Sequence, residues 1–89
     1  MQIRNILVVC VGNICRSPMG EFLLKANHPE LQIDSAGLSA MVGHSADDKA
    51  ILCMDTLNID MRSHVAKQIN SELIKKSDLI LVMSTNQQK

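Results

Sequence analysis

The sequence predicts an α/β domain with a parallel sheet in three layers. Two runs of four consecutive apolar residues, Ile6–Val9 and Leu79–Val82, read as strands buried on both faces. Between them lie stretches in which apolar residues recur every three or four positions, the period of a helix packed on one side. The resulting order is strand, helix, strand, helix, strand, which implies right-handed crossovers between parallel neighbours.

Asn5 to Cys10 forms the first strand, rich in β-branched residues. Met19, Phe22, Leu23 and Ala26 then mark one face of a helix over Pro18–Asn27. Ser17 is the expected N-cap, Pro18 suits the first turn, and Glu21 complements the helix dipole. His28-Pro29-Glu30 ends that helix, and Leu31–Asp34 is a short strand closed by Ser35-Ala36-Gly37. Leu38–His44 reads as loop. Helical period returns over Ala46–Leu57 through Ala50, Ile51, Met54 and Leu57. Asn58-Ile59-Asp60 makes a turn, and Ser63–Gln68 has little pattern. Asn70 is placed to cap a short helix over Ser71–Lys76, and Asp78–Met83 is the last strand. Ser84–Lys89 is polar and without period.

With 89 residues the chain is one domain at most. A domain of this size buries only about 60–65% of its unfolded surface. Phe22 is the sole aromatic residue against six methionines, so the core is aliphatic and soft. Zero net charge and the absence of a basic run exclude a nucleic-acid groove or an anionic-membrane surface. The N-terminus lacks signal-peptide features, and no apolar stretch approaches the ~18–20 residues that span a bilayer. Three cysteines without framework spacing suit a reducing cytoplasm.

The chemistry concentrates between the first strand and the first helix. A loop leaving a strand end and entering a helix start turns successive backbone N–H groups inward, and the helix dipole reinforces that anion cradle. Val11, Gly12, Asn13, Ile14, Cys15 and Arg16 supply those groups here. Gly12 permits close backbone approach, and Asn13 tolerates the left-handed conformation a nest requires. Arg16 can grip two phosphoryl oxygens through its planar fork. Cys10 sits in that positive field, which favours the nucleophilic thiolate, and Ser17 can donate a hydrogen bond to it. Ligands of open α/β sheets bind beyond the carboxyl ends of strands, where this loop lies.

The run from Val9 to Pro18 resembles the signature loop of the low-molecular-weight protein-tyrosine phosphatases of bacterial type. Asp34-Ser35-Ala36-Gly37-Leu38, Gly43-His44, Ala46-Asp47, Ile59-Asp60, His64 and Asp78–Met83 follow in that family's order. The resemblance implies a strand–loop–helix phosphate cradle that hydrolyses phosphotyrosine in proteins without cofactor or metal. On it, Cys10 is the nucleophile that forms a phosphocysteine. Arg16 binds the phosphoryl group and stabilises its transition state. Asn13, Ser17, Ser35 and His64 hold the loop in shape, and Cys15 pairs reversibly with Cys10 against oxidation. The implied partner is a phosphotyrosine protein, a tyrosine autokinase of polysaccharide export.

The same family takes its general acid from an Asp-Pro-aromatic loop, and these 89 residues contain no Asp-Pro pair. The expectation is therefore a domain truncated at its C-terminus, with three of the family's four strands and impaired activity. The sheet surface left open would invite self-association. Asp47, Asp48, Asp55, Asp60 and Asp78 read as caps or solvated positions rather than replacement acids. His28 and His44 read as surface residues, His64 as a hydrogen-bonded structural histidine, and Cys53 as core. Two alternatives stay open: a non-enzymatic anion-binding fragment, and an arsenate reductase of the same fold, which would need two further cysteines where only Cys53 lies downstream.

Overall fold

The computed structural model describes residues 2–83, so the expectation for Ser84–Lys89 lies outside the described residues. Along the chain come β1 (Asn5–Cys10), α1 (Arg16–Asn27), β2 (Gln32–Gly37), α2 (Asp48–Asp55), α3 (Ser71–Lys76) and β3 (Leu79–Val82). The strands form one parallel sheet in the order β2-β1-β3. Alternation along β1 divides the core between the two faces of the sheet. Ile6 and Val8 pack with Ile33 and the α1 residue Leu24. Leu7 and Val9 pack with Ala36 and the α3 residue Leu73. A third cluster joins α1 to α2 through Met19, Phe22, Leu23, Ala50, Met54 and Met61. The helices thus cover both faces of the sheet, which gives the expected three layers.

Local chemistry explains where the elements depart from the sequence expectation. Helix α1 begins at Arg16, with Cys15 in the N-cap position and no side-chain cap. Ser17 therefore lies inside the helix, and its hydroxyl is spent elsewhere. Glu21 does not serve the dipole; no acidic residue occupies the first turn, and Glu21 is buried. Strand β2 runs on to Gly37 because its pairing with β1 continues to Cys10. Helix α2 is shorter than expected at both ends. Asp47 caps its start by accepting from the N–H groups of Lys49 and Ala50. It ends at Asp55, leaving Leu57 exposed. Cys53 is exposed rather than core, because Ala50 and Met54 take the inward face of so short a helix. Helix α3 has its expected bounds, with Asn70 Oδ1 accepting from Leu73 N at 2.8 Å.

Strand β3 was expected to be buried on both faces. Its four residues are instead 37–68% exposed, because β1 flanks it on one side only among the described residues. Its start is nonetheless firmly anchored. Asp78 Oδ2 accepts from the N–H groups of Arg4 and Asn5, each at 2.9 Å, and Asp78 N donates to Asn5 O. Those backbone donors hold the Asp78 carboxyl below its ordinary value. At the opposite end of the sheet, Cys10 pairs with Gly37, so the loops leaving β1 and β2 run side by side.

Candidate active site

The six consecutive carbonyls from Cys10 to Cys15 are all engaged, five of them by residues outside the loop and the helix it enters. Those of Cys10, Val11 and Gly12 accept from the N–H groups of Leu38, Ser39 and Met41. The Asn13 carbonyl accepts from His64 Nε2, that of Ile14 from Asp47 N, and that of Cys15 from Met19 N. With every carbonyl turned outward, the intervening N–H groups turn in. Those of Val11, Gly12, Ile14, Cys15 and Arg16 have no acceptor among the described residues. The result is a ring of free donors at a helix start, which is an anion cradle.

Asn13 sets the shape of this ring. Its backbone is left-handed at φ 59°, the conformation expected of it. Gly12 is less demanding than expected: its φ is not positive, and an added Cβ would meet Ile14 and Met41 only at 3.7 Å and beyond. The glycine that the protein itself requires is Gly37. A Cβ there would stand 2.6 Å from the Val11 carbonyl oxygen, too close for any side chain.

The Asn13 side chain is buried and fully used. Its Nδ2 donates to Ser17 Oγ at 2.8 Å and to Ser35 Oγ at 3.0 Å. Its Oδ1 accepts from Lys67 N at 2.9 Å. Ser35 in turn donates to the Glu21 carboxylate, which can only accept. That carboxylate orients the Ser35 hydroxyl, and the Lys67 N–H orients the Asn13 amide. Since Ser17 Oγ accepts from Asn13, its own proton is free to point at Cys10 Sγ, 2.9 Å away. The Asn13 N–H also reaches Cys10 Sγ at 3.2 Å. Two donors thus converge on one buried sulfur, an arrangement that stabilises negative charge there.

The structure thereby brings together Cys10, Asn13, Ser17, Ser35 and His64. Arg16 lies exposed in the first turn of α1, and no carboxylate pairs with its guanidinium among the described residues. Cys15 is exposed beside it. Partial burial of its sulfur, and then the Asp47 carboxylate, push the Cys15 thiol up from its ordinary value. Sequence reasoning missed Glu21, Lys67 and Gly37. A signal for the first existed: Ser17, Glu21 and Lys25 repeat at four-residue spacing, so Glu21 lies under the loop.

The mouth of the cradle is apolar. Val11, Leu38, Met41 and Val42 are all exposed large hydrophobic residues on or beside the loop. Gln68 fixes this rim by donating to Leu38 O and accepting from Ala40 N.

A family model described as low molecular weight phosphotyrosine protein phosphatase matches residues 5–89. The chain belongs to this family. The low molecular weight protein-tyrosine-phosphatase Ptp of Acinetobacter johnsonii is 66% identical over 89 residues, 100% of this chain and 63% of the relative. The crystal structure of Erwinia amylovora tyrosine phosphatase AmsI superposes with a TM-score of 0.90 at 52% identity, covering 94% of this chain and 56% of that one. Vibrio vulnificus Wzb in complex with benzylphosphonate gives a TM-score of 0.90 at 41% identity, with 94% and 60% covered. This low molecular weight phosphatase chain therefore spans about three-fifths of the length of its relatives. Its part of the family fold is the part that contains the signature loop and the network beneath it.

Proposed function

We propose that this domain dephosphorylates phosphotyrosine in proteins through a phosphocysteine intermediate. The observation that carries the reading is the outward anchoring of six consecutive carbonyls around Cys10. Three non-bridging phosphoryl oxygens would occupy the ring of N–H donors, with the Arg16 guanidinium closing it. Cys10 Sγ then attacks phosphorus in line, and the bond to the tyrosyl oxygen breaks. Water next attacks the phosphocysteine, the S–P bond breaks, inorganic phosphate leaves, and the sulfur returns to the Ser17 hydroxyl. The apolar rim of Val11, Leu38, Met41 and Val42 suits an aromatic leaving group.

The leaving phenolate needs a proton, and these 89 residues offer no Asp-Pro pair for that task. For the 89 residues alone, tyrosyl phosphate turnover is expected to fall by about 10²–10⁴ for want of a placed acid. An activated aryl ester needs little protonation and escapes that limit. The further parts of the reading are a phosphorylated tyrosine autokinase as substrate, a cytoplasmic site of action, and Cys15 as disulfide partner of Cys10. Three free thiols support a reducing compartment. None of the described helices is long and apolar enough to cross a membrane.

Rapid mixing with p-nitrophenyl phosphate followed by intact-mass analysis tests the mechanism. A burst of nitrophenolate with a phosphorylated chain is expected, and Cys10→Ala should abolish both. Phosphate binding by folded protein without any phosphoenzyme would instead support a non-enzymatic anion-binding domain.

A further inference from the structure

Helix α1 lies over β1 and β2, and the same side of β3 is left open. Register identifies the residues on that side. Leu79 pairs with Ile6 and Leu81 with Val8, and paired residues share a face. Ile6 and Val8 are buried against α1, whereas Leu79, Leu81 and, two residues on, Met83 are each 37% exposed. A groove of about 400 Å³ runs between this face and α1, lined by Cys15, Arg16, Met19, Gly20, Leu23 and Met83. Cys15, Met19 and Leu23 stand four residues apart and so form one row. Gly20 lets the opposite wall come close: a Cβ there would meet Met83 Sδ at 3.2 Å and Val8 Cγ1 at 3.1 Å. Met83 is fixed in turn by its N–H, which donates to Val9 O at 2.6 Å.

Two observations say what covers this groove. Strand β3 ends at Val82 and the next residue, Met83, lines the groove, so polypeptide joined after this strand enters it directly. The relatives have more polypeptide to place. The matched part is 63% of the Acinetobacter johnsonii phosphatase and 56% of the Erwinia amylovora structure. A second copy of this chain fits less well. Two β3 edges related by a twofold axis would meet edge to edge and extend the sheet, leaving the groove on its face unfilled.

We propose that the groove seats an amphipathic segment drawn from the portion that each relative carries outside the match, whether joined to this chain or supplied separately. Its apolar side lies beside α1, on Met19, Leu23, Leu81 and Met83. Arg16 forms one end of the groove, so the same segment packs on the stem of that side chain and restrains its guanidinium over the cradle. Docking in the groove and phosphate binding in the cradle are therefore coupled, each raising affinity for the other. This link through Arg16 rests on the phosphatase reading, whereas the groove itself does not.

Methyl NMR of the 89-residue chain, labelled with carbon-13 at methionine, reads the groove apart from any turnover. The probe is the portion of the Acinetobacter johnsonii phosphatase outside its match, added as a separate polypeptide and, in a second sample, fused after Lys89. The Met19 and Met83 methyl signals should move, while those of Met54 and Met61, buried between α1 and α2, keep their places. Leu81→Ser should weaken association of the separate polypeptide by about ten-fold or more. The fused sample keeps the test decisive where the separate polypeptide does not dissolve. Phosphate affinity, read by calorimetry, should be about two- to ten-fold tighter in the fused chain, the gain from ordering one long side chain in advance. Met19 and Met83 signals that stay in place in the fused chain would overturn the proposal. Signals that move with the concentration of the unfused chain and ignore the probe would also overturn it, by placing a second copy in the groove. Moved signals with unchanged phosphate affinity would overturn the link through Arg16. Failure of the phosphoenzyme burst with the methyl response intact would count against the catalytic reading alone.

Discussion

His64 donates from Nε2 to the backbone carbonyl of Asn13 at 2.7 Å, across 51 positions of sequence. Removing the ring leaves a buried carbonyl without a donor. His64→Ala should cost about 1–3 kcal/mol of stability. It should also slow phosphoenzyme formation, because the left-handed Asn13 backbone loses its anchor. His64→Gln offers an amide donor and should recover part of both losses. Urea unfolding beside a single-turnover assay measures the pair.

Glu21 orients the Ser35 hydroxyl at one end of the network, and the Lys67 N–H orients the Asn13 amide at its centre. In Glu21→Ala, the Ser35 hydroxyl loses the acceptor that holds it against Asn13, and the order beneath the nucleophile is loosened. A loss of about 1–3 kcal/mol is expected, together with slower alkylation of Cys10 by iodoacetamide. Lys25→Ala removes only the half-exposed end of the chain and should cost less than about 1 kcal/mol. Equal effects of the two substitutions would contradict this ordering.

Gly37 and Gly43 make a controlled comparison. A methyl group at Gly37 meets the Val11 carbonyl oxygen at 2.6 Å, whereas one at Gly43 meets nothing within 4 Å. Gly37→Ala should destabilise by about 1–3 kcal/mol through overpacking and weaken phosphate binding by the cradle. Gly43 has a φ of +87°, so Gly43→Ala should cost about 1 kcal/mol of backbone strain. Its phosphate affinity, read by calorimetry, should stay unchanged.

Asp78 gives a pH dependence of known sign. Backbone donors from Arg4 and Asn5 hold its carboxyl below the ordinary value near ~3.9. A depressed folded value means that the stabilisation is fully present above ordinary carboxylate titration and disappears as pH falls through the folded value. The melting-temperature gap between the parent chain and Asp78→Ala should be wide at neutral pH and close as pH falls below the ordinary carboxylate range. A gap that stays constant with pH would show that the carboxylate charge is not what joins β1 to β3.

The loop was legible because its chemistry is contiguous: nucleophile, left-handed Asn13, Arg16 and Ser17 fall within eight residues. The succession of elements and the Asn70 cap were legible for the same reason, since period and capping are local. What stayed hidden depends on parts far apart in sequence. The Lys67 N–H that fixes the Asn13 amide comes from a segment without period, and its side chain gives no clue. Gly37 matters through a backbone approach that no pattern encodes. Glu21 looked like a partner of the helix dipole until helix spacing carried it under the loop. Cys53 looked like core until α2 proved too short to bury it.

The six anchors of the loop come from residues 19, 38, 39, 41, 47 and 64. Most of these lie far from the loop in sequence, so the ring closes only through non-local contacts. The reactive sulfur is therefore a property of the finished fold and not of the motif. In an unfolded chain the ring of donors is absent, and Cys10 has no cradle in which to capture phosphate. Its capacity to form a phosphoenzyme should rise and fall with the native population, so that a single side chain reports on the integrity of the whole domain.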